Sequence, residues 1–170
     1  MTNQEIDQSL ASELMLAVGN VDHLRLVQGA YMELIYTLLW SVGGAIDSVT
    51  FLSDLSDASA AEHRVYWLRG NAIGCLVVGA HQGAEGDPNA KLNVTGYTRS
   101  IADIRRLELR DVQIEWTRWG ARVPELRPTL AIHFDDMEII VDVASRTEEK
   151  DRKQAVAFID RLQAVFARTA

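Results

Sequence analysis

The sequence predicts an α+β chain: a bent antiparallel sheet or small barrel capped by a C-terminal helix and preceded by two N-terminal helices. Three observations carry this. Apolar stripes at helical spacing occupy residues 6–42, two-residue alternations recur from Arg64 to Val143, and an amphipathic segment with an acidic first turn closes the chain. At 170 residues with 48% apolar content there is enough material for one real core. Composition divides it into a helical segment with a linker over 1–61 and a β domain with its closing helix over 62–170.

Thr2 and Glu5 form a capping box ahead of Ile6, Leu10, Leu14 and Val18, and Gly19-Asn20 ends that helix. Asp22 caps a second, whose stripe is Leu24, Val27, Tyr31, Leu34, Leu38 and Val42. Leu26, Leu39 and Trp40 add apolar surface off that stripe, so the helix needs cover on more than one side. Residues 47–62 are rich in Ser, Asp and Ala and read as a linker with at most one short turn or strand.

From Arg64 the chain becomes β-like. RVYWL and AIGCLVVGA flank Arg69-Gly70-Asn71, a tight turn in which Gly and Asn tolerate positive φ. Residues 79–90 form a Gly-rich loop, and KLNVTGYT is a third strand. In residues 101–116 the alternation changes phase: Leu107 and Leu109 face inward, then Val112, Ile114 and Trp116. One extra residue inserted as a bulge at Arg110-Asp111, where the strand turns a corner, explains this; two short strands joined by a turn would do so too. Leu130, Ile132 and Phe134 face inward before a turn at Asp135-Asp136, and Ile139, Val141 and Val143 return. The last helix starts near Ser145 or Thr147, with the stripe Ala155, Phe158, Ile159, Leu162 and Phe166.

Charge narrows the partners. The net charge of −7 disfavours nucleic acid and anionic membrane surfaces. Residues 1–60 hold eight acids and one base, Arg25, and so carry the whole of that excess. The single cysteine, Cys75, has no internal disulfide partner, and the N-terminus lacks the pattern of an export signal, so a cytoplasmic setting is expected. The longest uncharged apolar run, residues 34–46, is too short to cross a bilayer.

The segments SIADIRRLEL, LAIHFDDMEIIVDV and FIDRL together resemble a pleckstrin-homology-type domain over residues 63–168. That resemblance implies a bent antiparallel sheet plugged at one end by the helix, and for phosphoinositide-binding members a basic first hairpin loop. Here that loop offers only Arg69 and Arg64, so phosphoinositide binding is disfavoured, and gripping protein segments or dimerising is the implied use.

No converging catalytic set appears. The glycines at 79, 83 and 86 lack the Lys-Ser/Thr pair and helix start of a phosphate loop. His133 with Asp135 and Asp136 lacks the further ligands of a metal site and reads as a solvated His beside turn acids. Cys75 reads as a buried, inert thiol. EWTRWGARVPELRP interleaves aromatic and basic residues: Trp116 has inward parity and reads as core, whereas Trp119, Arg118 and Arg122 suit a protein contact better than a nucleic-acid one in an acidic chain. The reading is a non-catalytic interaction or scaffold module without cofactor, self-associating through the N-terminal helices, with Trp119, Arg118, Arg122, Tyr31, Leu39 and Trp40 as contact candidates. The alternative is a helix-grip carrier or enzyme for a small apolar ligand, in which Tyr97, His133 or Tyr31 points into a pocket.

Overall fold

The computed structural model describes residues 37–38, 40–54, 62–78, 94–116, 124–146 and 148–169. It is an α+β structure with two antiparallel sheets and a C-terminal helix, and its chain falls into two compact units. Of the two predicted N-terminal helices, only residues 37–38 and 40–42 are described, and they are helical; the rest lies outside the described residues.

The first unit holds most of a four-stranded sheet in the order β1-β2-β3-β4: Ser48–Asp54, Glu62–Arg69, Ala72–Val78 and Val94–Ser100, of which Ala72, Arg99 and Ser100 belong to the second unit. β1 lies in the stretch read as a linker with at most one short turn or strand, and it is a strand of seven residues. Its seven residues pair with β2 from Ser48↔Leu68 to Asp54↔Glu62, and Val49, Thr50 and Phe51 are all buried. β2 and β3 meet at Gly70, whose φ of 53° is the left-handed conformation expected of this turn. Arg69 turns its guanidinium back over Gly43 and Gly44 and donates to the Val42 carbonyl, a cation at the negative end of that helical turn.

In this sheet, Gly74 lets the chain accept a large neighbour. A Cβ there would stand 2.1 Å from Trp67 Cζ2 and 2.2 Å from Cε2, so the indole occupies the space a side chain would take. Trp67 is itself buried, which leaves the ring no room to withdraw.

The second unit holds a three-stranded sheet in the order β5-β6-β7 (Arg106–Glu115, Glu125–His133 and Glu138–Asp142) and helix α1, Glu149–Thr169. A short 3-10 turn, Ile101–Asp103, precedes β5, with the Ser100 hydroxyl accepting from the Ala102 N–H. The β5–β6 register shifts between Leu109 and Asp111, so a bulge does absorb the change of phase. The strand does not pass from one sheet to another at the bulge, since all of β5 lies in the three-stranded sheet. Both halves of β5 pair with the same strand, which also excludes two short strands joined by a turn.

Arg99 and Arg105 hold the β6–β7 turn. Arg99 contacts Asp136 at 2.5 Å with its guanidinium 5.3 Å from the Phe134 ring centroid, and Arg105 grips both carboxylate oxygens of Asp135. β7 ends at Asp142, whose Oδ1 accepts from the Ala144 and Ser145 N–H groups and from the Thr129 hydroxyl. α1 begins at Glu149, later than predicted, and its buried stripe is Ala155, Phe158, Ile159, Leu162 and Val165. Phe166, expected in that stripe, is only half-buried, because the 3.6-residue period carries the centre of the face onto Val165. The helix packs on β6, β7 and the 3-10 turn.

Gly74→Ala should destabilise the chain by about 1–3 kcal/mol through overpacking against the indole. Urea unfolding in a Trp67→Leu background should show a clearly smaller loss for the same change, and equal losses in both backgrounds would disprove the close approach as its cause.

Candidate functional site

Cross-strand partners share a face of a sheet, so the register of β5, β6 and β7 sorts their side chains into two sets. Leu107↔Ile132 and Leu109↔Leu130 lie on the inner face, and Ile139 and Val141 of β7 pair with Ile132 and Leu130 there. Past the bulge, Val112↔Pro128 and Ile114↔Leu126 continue the same face, and Trp116 follows at the strand end. The inserted residue, Arg110, is what keeps the apolar series on one side. By this register no charged residue shares the face.

Only its proximal half is buried. Leu130, Ile132, Ile139 and Val141 are nearly inaccessible, whereas Leu109 is 58% exposed, Ile114 57%, Trp116 67%, Leu126 53% and Val112 37%. Trp116, expected in the core, is thus an exposed residue. The sequence period sets the facing correctly, but burial depends on strand length. β7 pairs only with Thr129–His133, so the β5–β6 hairpin runs on for several residues beyond its third strand.

Ion pairs run along the opposite face and the edges. Arg127, 19% exposed, contacts Glu115 and Glu125, and Glu125 in turn accepts from Arg152 of α1 at 2.8 Å. Arg152 also donates to the Arg146 carbonyl, so the start of β6 is tied to the first turn of the helix. Nearer the turn, His133 lies 2.8 Å from Glu108 and 3.3 Å from Glu138, and Arg110 reaches Glu138 at 2.6 Å. The acids around His133 are therefore Glu108 and Glu138 rather than the turn acids Asp135 and Asp136, which are taken by Arg105 and Arg99. The His133 imidazole, with Arg106 and Arg110 nearby, holds the Glu108 carboxyl below its usual range.

Cys75 is buried and clustered with Tyr97, Arg64 and Tyr66. Burial pushes its thiol up to about 11, so the thiolate is scarce at neutral pH. Burial likewise raises the Tyr66 and Tyr97 phenols.

In the first unit a cleft of about 340 Å³ opens between the helical turn and the sheet, walled by Trp40, Trp67, Leu76, Gly96, Tyr97 and Thr98 among others. The Trp67 indole N–H is buried with no hydrogen-bond partner among the described residues. Of the six sequence-based contact candidates, Trp40 is 83% exposed, and Trp119, Arg118, Arg122, Tyr31 and Leu39 lie outside the described residues. The sequence reading missed Leu109, Ile114 and Leu126 as surface residues, since nothing in an alternating pattern tells where its cover stops. Among the described residues no cluster of three or more His, Cys, Asp or Glu could hold a metal ion, and no helix is long and apolar enough to cross a membrane. No protein-family model, curated protein or solved structure matches the chain.

The raised thiol and phenols set a pH dependence. The unfolded chain releases these protons from about pH 9, the folded chain only at higher pH, so their stabilising contribution is whole below pH 9 and declines as pH rises towards 11. Unfolding free energies measured by denaturant from pH 8 to 11 should fall, and fall less steeply for Cys75→Ala; a flat profile would contradict the cluster's buried, protonated state.

Proposed function

We propose that this chain is a non-catalytic protein-interaction module on a pleckstrin-homology-like scaffold. The observation that carries the reading is the row of exposed apolar side chains Leu109, Val112, Ile114, Trp116 and Leu126 on one face of the β5–β6 hairpin. Monomeric proteins rarely present so large a contiguous apolar surface without a use for it, and Trp in particular is a frequent anchor of protein contacts. The hairpin's connecting residues contain Trp119, Arg118 and Arg122, so the contact candidates read from sequence continue the same strip of chain.

Further support comes from the order of elements, four antiparallel strands, three antiparallel strands, then a helix, which suits the scaffold implied by the resemblance. The basic residues of the first hairpin loop are already engaged, Arg69 with the Val42 carbonyl and Arg64 with Glu62, which argues against a phosphoinositide headgroup as ligand. The groups best suited to catalysis have other work: His133 is held between two carboxylates, and Cys75 is buried and protonated.

A second reading, a carrier of a small apolar ligand, is favoured by the cleft beside Trp67, whose volume is at the low end of ligand pockets and whose wall carries an indole N–H lacking a partner among the described residues. A hydrophobic fluorescent probe such as anilinonaphthalene sulfonate separates the two sites. Binding lost in Thr98→Trp but kept in Ile114→Glu would mark the cleft as occupied, and the reverse pattern would count against the carrier reading.

The interaction reading is tested by affinity capture from the native host with the wild-type chain and with Ile114→Glu/Leu126→Glu as bait. Both side chains are more than half exposed, so the double variant should keep its circular dichroism spectrum and thermal midpoint within a few degrees. Partners, including untagged copies of the chain, should be retained by the wild type and lost by the variant. Identical retention by both baits would sink the proposal.

A further inference from the structure

We infer that the exposed inner face of the β5–β6 hairpin is a self-association surface, occupied by the same face of a second copy of this chain. The inference rests on the interaction reading above and names its partner. Leu109, Val112, Ile114, Trp116 and Leu126 follow one another along two paired strands with Pro128 between them, and by the register no charge interrupts the face. Such a surface fits another sheet of equal character, because two sheets pack face to face through interdigitated apolar side chains about 10 Å apart.

The size of the face is the first argument for a second copy. Five large side chains exposed by 37–67% present on the order of 500 Å² of apolar surface, an aromatic alone supplying a large share. Against a partner of equal area the contact removes about 1,000 Å² in all, the lower limit of a specific interface. A smaller occupant would leave part of the row wet.

Charge is the second argument. Arg127, Glu115, Glu125 and Arg152 neutralise one another on the opposite face and at the strand ends, so they select no strongly acidic or basic partner for the apolar face. A two-fold arrangement brings like to like without burying an unpaired charge, and each residue meets its symmetry counterpart or a neighbour of the same character. Each copy carries −7, and this repulsion is long-range and screened by salt. Association of this kind therefore tightens, or holds steady, as ionic strength rises, whereas a contact made by ion pairs would weaken.

The experiment uses the purified full-length chain. Light scattering over a concentration series should show a mass moving from 18.9 kDa towards twice that value, with no loss on raising salt from 50 to about 300 mM. Ile114→Glu and Leu126→Glu should each weaken dimerisation at least about tenfold, while Ile114→Val should keep it. Circular dichroism of all three verifies that they are folded. A wild-type mass of one chain at all concentrations overturns the inference; if host capture still depends on Ile114 and Leu126, the face serves another protein and the interaction reading stands. A dimer indifferent to both charge substitutions overturns it as well, since the copies then meet elsewhere. A single-chain mass together with capture that ignores the substitutions removes both.

Discussion

The second unit depends on one inserted residue in β5. Strict alternation from Leu107 would send Val112, Ile114 and Trp116 to the side occupied by Glu108, and would turn Asp111, Gln113 and Glu115 against the core side. The bulge between Leu109 and Asp111 corrects this, so that Asp111 pairs with Thr129 and Val112 with Pro128. A single local irregularity thus separates a charged face from an apolar one over the full length of the hairpin. The end of β7 then decides how much of the apolar side is covered. Asp142 gathers the Ala144 and Ser145 amides and the Thr129 hydroxyl, which turns the chain out of the sheet and towards α1.

A hairpin that overhangs its sheet keeps its shape by other means. Cross-strand hydrogen bonds continue to Glu115↔Glu125, a like-charge pair that would repel if left alone. Arg127 lies against both carboxylates, and Arg152 reaches Glu125 from the helix. Fully exposed pairs contribute about 0–1 kcal/mol each, but Arg127 and Arg152 are largely enclosed, at 19% and 12% exposure, and their removal would strand two facing acids. The network near His133 is more open, with Arg106, Glu108 and Arg110 each 38–64% exposed, and serves chiefly to order the outer face above the small Ala131.

What was legible in the sequence was facing, and what was not was cover. The alternation of Leu130, Ile132 and Phe134 and of Ile139, Val141 and Val143 predicted a hairpin whose inward residues are all buried. The change of phase at Arg110 located a real bulge. Trp116 was misread because parity states which way a side chain points, not whether a neighbouring strand is there to meet it. β1 was only partly legible: one short strand was allowed in its stretch, but Thr50 between Val49 and Phe51 is buried too and the flanking Ser and Asp residues have the composition of a linker, so its full pairing with β2 does not show in the pattern. The partners of His133 were unreadable because Glu138 comes from β7, reached only once the β6–β7 register is known. Of the contact candidates, Trp40 alone falls among the described residues, and its exposure agrees with the surplus apolar surface read from that helix.

The form of the hairpin also distinguishes two ways for copies to meet. Among the described strands, in the order β5-β6-β7, β5 stands at the end of its sheet, and an edge strand of ten residues is an invitation to strand-to-strand addition that need not stop at two chains. The bulge disturbs the spacing of that edge at its middle, and Arg106, Glu108, Arg110, Asp111 and Glu115 line it with charge, both being devices that discourage edge pairing. The apolar face carries neither device. Contact through the face would close at two copies, because each would use the whole of its surface on the other, whereas contact through the edge would leave β7, the other terminal strand among those described, as a second edge. One inserted arginine thus has two effects: it blunts the route to open-ended growth and lines up the apolar side chains on which a closed pair could form.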